Sequence, residues 1–115
     1  MNNKIETYQP IVFSLLEQYA QHRPVNVQEF ENEVVADRER NHFQLASIGW
    51  EKDGRFFHNV IFHFDIKPDG KIWIQVNNTD VDIAAELVER GVSKSDIVIG
   101  FQPPRYRPYS GYAVA

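Results

Sequence analysis

Residues 56–76, with the sequence FFHNVIFHFDIKPDGKIWIQV, decide the fold of this chain. Apolar side chains recur at even positions on both sides of the turn Pro68-Asp69-Gly70. A two-residue loop would set Ile66 against Trp73 and mix the two faces of the hairpin. The side-chain period of two therefore selects a three-residue loop with Gly70 left-handed. The pairs that this loop predicts are Ile66 with Ile72, Phe64 with Ile74 and Phe62 with Val76.

Two more strands are predicted before this hairpin, at about 29–38 and 41–51. Asp53-Gly54 has the chemistry of a hairpin turn and joins the second strand to the third. The second strand changes parity between its two apolar pairs, which are Phe43 and Leu45, then Ile48 and Trp50. A bulge near Ala46–Gly49 would bring both pairs to the core face, where we expect Ile48 and Trp50 to be buried.

Helical periodicity appears on both sides of the strand region. The first helix is predicted at about 3–21, with Pro10 disturbing its first half. The second is predicted at Asp80–Arg90, with Thr79 or Asp80 as its N-cap. The predicted fold class is α+β: an N-terminal helix, a four-stranded antiparallel meander, a second helix and an extended C-terminal tail. Both helices are expected on the even face of the sheet, with the tail across the other face or an edge.

Length and composition restrict the class of protein. The 115 residues predict a single domain, 1–115, and the 43% hydrophobic content is typical of a folded protein. The formal net charge of −4 disfavours broad nonspecific binding to nucleic acid. Cysteine is absent, which excludes disulfides and thiolate metal sites. No apolar run approaches the roughly 18–20 residues of a membrane span. The N-terminus has no apolar signal core, so we expect a cytoplasmic protein.

The odd face of the sheet carries more apolar residues than a solvated face needs. Phe57, Ile61 and Trp73 fall on this face by parity. They are either sealed by the tail of the same chain or form an interface in a homo-oligomer.

The C-terminal segment is the best candidate for recognition. It combines two arginines with aromatic residues, and its candidate partner-binding residues are Arg105, Tyr106, Arg107, Tyr109 and Tyr112. No acidic residue occurs from Ile97 to the end of the chain. Such a set can anchor a protein interface, stack on bases or contact phosphates. The alternative is a tail that packs on its own core, with prolines that restrict the unfolded chain.

Residues that could carry chemistry are scattered along the sequence. His58 and His63 have opposite parity on one strand, so we expect them on opposite faces and unable to share a metal ion without a bulge. His22 and His42 are expected to be structural or exposed. Asp65-Ile66-Lys67 and Asp69-Gly70-Lys71 match the loose acid-x-lysine element of metal-dependent nucleases, but both flank one hairpin turn, where Asp and Lys are common. The sequence therefore favours a protein with no catalytic residues, no cofactor and no metal.

An ordered set of short stretches resembles the XisI family, the fdxN element excision controlling factors of cyanobacteria. The stretches run from Leu15-Leu16 and Tyr19-Ala20 through Gln44-Leu45, Gly49-Trp50 and 69–75 to 83–88, Gly91-Val92, 94–98, Gly100-Phe101, Pro103-Pro104 and 113–115. The resemblance covers nearly the whole chain in order. Pro10 departs from the smoother first helix that the family implies.

The resemblance implies an accessory, non-enzymatic role in site-specific excision of a DNA element. Family members look like companions of a XisH-like protein and of a separate recombinase, which breaks and rejoins the DNA. One alternative is an inhibitor or antitoxin-like partner that holds a nuclease-like XisH protein inactive. Another is a small metal-dependent nuclease built on Asp65, Lys67, Asp69 and Lys71. Direct contact with DNA stays open at this point.

Overall fold

The computed structural model describes residues 3–25 and 27–115, and it has two helices and a five-stranded sheet within them. In chain order the elements are α1 (Asn3–Tyr19), β1 (Val27–Asp37), β2 (His42–Glu51), β3 (Phe56–Ile66), β4 (Ile72–Asn77), α2 (Ile83–Glu89) and β5 (Ile97–Ile99). Two short 3-10 helices complete the chain, at Lys94–Asp96 and Pro104–Tyr109. In these residues no helix is long and apolar enough to cross a membrane.

The sheet follows the order of the sequence, from β1 to β5. β1 to β4 form the predicted antiparallel meander, whereas β5 lies parallel to β4. The prediction of four strands was therefore one strand short. A parallel neighbour needs a crossover connection, and α2 supplies it between β4 and β5. No strand was predicted at Ile97–Ile99, because three residues are too few to show a strand period.

The hairpin of β3 and β4 confirms the predicted loop. Ile66 pairs with Ile72, and Lys67 N–H donates to the Lys71 carbonyl at 2.9 Å across the three residues between them. Gly70 has a φ of +89°, as a left-handed position requires. The predicted pair of Phe62 with Val76 was wrong, because β4 has an irregularity at Gln75 that sets Val76 opposite His63.

A bulge also lies in β3, rather than in β2 as predicted. Leu45 pairs with Phe62 and Ala46 pairs with Val60, so Ile61 is the extra residue. β2 therefore alternates without interruption, and Trp50 lies on the face opposite the core with 44% of its surface exposed. The prediction that Trp50 and Ile48 are buried in the core was wrong for this reason. Gly49 serves a close approach instead, because a Cβ there would lie 2.1 Å from the Glu29 carbonyl oxygen in β1.

Both helices pack on one face of the sheet, as predicted. α1 is a single helix that contains Pro10, and α2 begins at Ile83 with the Asp82 carboxylate accepting from Ala85 N–H at 3.1 Å. The predicted cap at Thr79 or Asp80 was thus two or three residues early. The fully buried large side chains of this core are Val12, Leu15, Leu16, Phe43, Leu45, Phe62, Phe64, Ile72, Ile74, Ile83, Leu87 and Ile97.

A buried carboxylate ties the first helix to the last part of the core. Asp96 accepts from Tyr8 Oη at 2.6 Å and from Lys4 Nζ at 3.0 Å. Burial is the main cause that raises the pKa of Tyr8, and the hydrogen bond to Asp96 adds to it. Because these residues lie about 90 positions apart, the contact fixes the N-terminal helix against the β5 edge of the sheet.

Candidate functional site

The sheet has one face that the helices leave uncovered, which we call the open face. Side chains alternate between the two faces along each strand, with a reversal at the Ile61 bulge, and this assigns the residues of β2 to β4 that lie on the open face. They are His42, Gln44, Ala46, Ile48 and Trp50, then Phe56, His58, Val60, His63 and Asp65, then Trp73, Gln75 and Val76. The C-terminal segment packs against this face at the β4–β5 edge, so the candidate site combines the open face with the tail.

Arg107 holds the tail against the sheet. Its guanidinium carbon lies 4.9 Å from the centre of the Trp73 ring. The same guanidinium donates to the Gln102 carbonyl at 3.1 Å and to the Gly100 carbonyl at 3.3 Å. Lys67 Nζ lies 5.5 Å from the Trp73 ring centre, so two cations contact this one indole. Arg107, which was predicted as a recognition residue, therefore contacts the sheet and the backbone of its own tail.

Tyr112 also faces inward. It is partly buried against the main core, and burial raises the pKa of its hydroxyl. The following residue, Ala113, forms a parallel bridge with Val98, and its N–H donates to the Ile97 carbonyl at 2.8 Å. The predicted extended tail is thus partly helical, with Pro104 at the start of a 3-10 helix, where a missing N–H costs nothing.

Three of the five predicted recognition residues remain exposed. Tyr109 has 86% of its surface exposed and Tyr106 has 50%. The guanidinium carbon of Arg105 lies 4.8 Å from the centre of the Tyr106 ring. Phe101, which is 50% exposed, joins this set. We call Phe101, Arg105, Tyr106 and Tyr109 the tail surface. It combines aromatic area with a cation and has no acidic residue in its own segment.

The three residues predicted for an oligomer interface do not share one surface. Phe57 and Ile61 lie on the helix side of the sheet, where Ile61 packs against the core and the Phe57 ring lies 6.2 Å from that of Phe30. Trp73 lies on the open face beneath Arg107. The bulge at Ile61 causes the separation, because it reverses the alternation of β3 before that residue.

The nuclease alternative relied on two acid–lysine elements around one turn. The Asp69 carboxylate accepts from Lys71 N–H at 3.0 Å and from Lys71 Nζ at 3.3 Å, both within the turn. Asp65 points to histidines on the open face instead, and Lys67 lies against Trp73. The two carboxylates have different partners, so these residues do not form the converging acids that metal-dependent phosphate chemistry needs.

A polar cluster lies on the open face beside the tail. Asp65 Oδ1 lies 2.7 Å from His42 Nδ1 and 2.8 Å from His63 Nε2, and Asp65 Oδ2 accepts from Gln75 Nε2 at 3.2 Å. Gln44 Nε2 lies 3.3 Å from the other ring nitrogen of His63. The parity argument compared His63 with His58 and missed His42, which lies directly opposite Asp65 on the neighbouring strand. Its other error was to place His58 and His63 on opposite faces, since the bulge puts both on the open face.

The contacts of Asp65 predict a pH dependence of stability. Burial acts to raise the pKa of Asp65, but the hydrogen bonds from His42, His63 and Gln75 together outweigh it, and the pKa lies below its ordinary value. The stabilisation by the charged carboxylate is thus complete above the ordinary pKa of Asp. It is lost as the pH falls through the lower value of the folded state.

We therefore expect Asp65→Asn to be less stable than wild type near neutral pH. That difference in unfolding free energy should shrink between about pH 5 and about pH 3. Urea unfolding of both proteins in the presence of a chelator measures it. A difference that stays constant over this range would show that the charge of Asp65 contributes nothing.

Comparisons with known proteins place the chain in a family. The family model described as "XisI protein" matches residues 1–114. A solved XisI-like protein from Anabaena variabilis ATCC 29413 is 44% identical, with a TM-score of 0.86, over 96% of this chain and 99% of that one. The solved structure of fdxN element excision controlling factor XisI from the same strain shares the fold at 24% identity, with a TM-score of 0.77 over 97% and 99%. No curated protein matches at a significant level. The family match over nearly the whole length, together with the 44% identical relative, shows that this chain belongs to the XisI family.

Proposed function

We propose that this chain is a non-enzymatic controlling factor for site-specific excision of a DNA element, and that it acts through other proteins. The observation that carries the proposal is the tail surface, where exposed Tyr106 lies beside the Arg105 guanidinium and Tyr109 is exposed in the same segment. Exposed tyrosine and arginine residues are enriched at the energetic centres of protein interfaces. Family membership and the printed name of the 24% identical protein, an excision controlling factor, support the excision role.

The tail surface fits a protein partner better than a DNA backbone. It presents one guanidinium, that of Arg105, which contacts the Tyr106 ring, whereas Arg107 is engaged with backbone carbonyls and Trp73. The opposite edge strand, β1, is acidic, with exposed Glu29, Glu31 and Glu33. Nonspecific DNA binding requires several phosphate contacts by cations, which this arrangement does not offer. The partner we propose is a XisH-like protein, with a recombinase as the enzyme that cuts and joins the DNA.

Reconstituted excision tests this function. A plasmid carrying the element should be excised by its recombinase and a XisH-like protein faster when this chain is added. Magnesium alone with this chain should leave the plasmid intact. Excision that proceeds equally without the chain would contradict a controlling role, and magnesium-dependent cleavage lost in Asp65→Ala would support the nuclease instead.

The same tail surface would also serve an inhibitor of a nuclease-like XisH protein. Both roles would use the same tail surface, but they predict different effects of the XisH-like protein in the cell. Toxicity of the XisH-like protein expressed alone, relieved by this chain, would select the inhibitor. Excision that depends on both proteins, without toxicity, would select the controlling factor.

A further inference from the structure

The cluster on the open face has the ligand atoms of a metal site. His42 Nδ1, His63 Nε2 and a carboxylate oxygen of Asp65 all lie within 4.8 Å of one another. Two imidazole nitrogens and one carboxylate oxygen are a donor set that suits first-row divalent transition metals, whereas Mg²⁺ and Ca²⁺ prefer oxygen ligands alone.

The backbone fixes these three side chains on a rigid frame. His42 and Asp65 are directly paired residues of β2 and β3, and His63 precedes Asp65 by two positions on the same face. His42 Nδ1 and His63 Nε2 both point at the same oxygen, Asp65 Oδ1. Ligands at tetrahedral Zn²⁺ lie about 3.3 Å apart. The two histidine nitrogens now lie 2.7 and 2.8 Å from Asp65 Oδ1. Small side-chain rotations that lengthen these distances would make room for an ion.

Outer hydrogen bonds orient two of the three ligands. Gln75 donates to the second oxygen of Asp65, which leaves Oδ1 directed at the histidines. In the metal-free protein His63 Nε2 donates to Asp65, and the Gln44 amide nitrogen lies 3.3 Å from His63 Nδ1. A metal would need the ring proton on Nδ1, and a half-turn of the Gln44 amide would bring its oxygen there to accept that proton. Metal-binding histidines characteristically have such a partner on the nitrogen that faces away from the ion.

The start of the tail leaves room for the Gln75 side chain. A Cβ at position 100 would lie 2.5 Å from Gln75 Oε1, so Gly100 leaves the room that the Gln75 side chain occupies. Asp65 is only 8% exposed, whereas the His42 and His63 side chains are 54% and 25% exposed. The cluster is thus closed on the sheet side and open to solvent on the other.

We propose that His42, His63 and Asp65 form a binding site for a first-row divalent transition metal ion such as Zn²⁺. Three protein ligands leave a coordination position for water or for a side chain of another protein. The site does not depend on the proposed function, since it concerns the chain by itself.

Titration of the full-length, chelator-treated protein with Zn²⁺ tests the site. Isothermal titration at pH 7.5 should give one ion per chain with a dissociation constant in the micromolar range. The midpoint of thermal unfolding should rise with added Zn²⁺, because the ion binds the folded state. His42→Ala and His63→Ala should each weaken binding at least tenfold.

His58→Ala is the matched control, because His58 lies on the same strand and the same face outside the cluster. It should bind Zn²⁺ as the wild type does. Thermal unfolding without metal checks that each variant folds, and the absorption spectrum of bound Co²⁺ reports coordination without relying on stability. Wild-type binding that is absent at millimolar Zn²⁺, or equal losses in His58→Ala and His63→Ala, would overturn the proposal.

Discussion

Replacing both Arg105 and Tyr109 with alanine is expected to weaken binding to a XisH-like partner by at least tenfold. Tyrosine and arginine at the centre of an interface each contribute about 2 kcal/mol when truncated to alanine, which is roughly thirtyfold in affinity. Tyr109 is the most exposed aromatic residue of the tail, and Arg105 contacts only the Tyr106 ring among the contacts that the structure describes for it. Their loss should therefore leave the unfolding free energy within about 0.5 kcal/mol of wild type.

A second surface pair provides the control for this variant. Arg40 is exposed in the turn between β1 and β2, and Phe56 is 52% exposed on the open face, at the end of β3 opposite to the Asp65–Trp73 pair where the tail packs. Arg40→Ala with Phe56→Ala removes the same kinds of side chain elsewhere. Surface plasmon resonance should show an unchanged affinity for this control. A loss in the control together with full binding by the tail variant would place the interface on the open face.

Trp73→Ala is expected to release the tail from the sheet and to lower the unfolding free energy by about 2 kcal/mol. The indole is half-buried and contacts the cations of Arg107 and Lys67, so its truncation removes both packing and cation–π contacts. Binding to the partner should fall with it, because a mobile tail must be ordered again at the interface.

Limited proteolysis distinguishes release of the tail from a general loss of stability. Trypsin should cut after Arg105 much faster in Trp73→Ala than in wild type, under conditions where both proteins are more than 95% folded by circular dichroism. Trp73→Phe keeps an aromatic ring beneath Arg107 and should protect the tail. Cleavage at the wild-type rate in Trp73→Ala would mean that Trp73 does not hold the tail.

The hairpin shows what can be read from the sequence and where that reading stops. Side-chain alternation and the turn Pro68-Asp69-Gly70 determine the loop, so the pair of Ile66 and Ile72 was predicted correctly. The side-chain period of two cannot locate the extra residue of a bulge when apolar residues lie on both sides of that residue. Ile61 is such a residue, and its bulge put Phe57 and His58 on faces other than those predicted, while the absence of a bulge in β2 left Trp50 on the open face.

Only part of the candidate site could be predicted from the sequence, because the rest depends on the three-dimensional fold. The tail was predicted as a candidate because its arginines and tyrosines are concentrated in a segment with no acidic residue. Within the tail, Arg107 packs inward and Tyr109 is exposed. This difference depends on how the last residues fold, which hydrophobic periodicity does not predict. The cluster of His42 with Asp65 depends on pairing between strands, and residues 23 positions apart give no local signal.

Direct titration of this chain with a XisH-like protein tests the central claim, that the chain acts through a protein partner at its tail surface. We predict a saturable complex with a dissociation constant in the micromolar range or below for wild type, and at least tenfold weaker binding for Arg105→Ala with Tyr109→Ala. The absence of a complex at concentrations well above micromolar, or equal affinities for the two proteins, would contradict the claim.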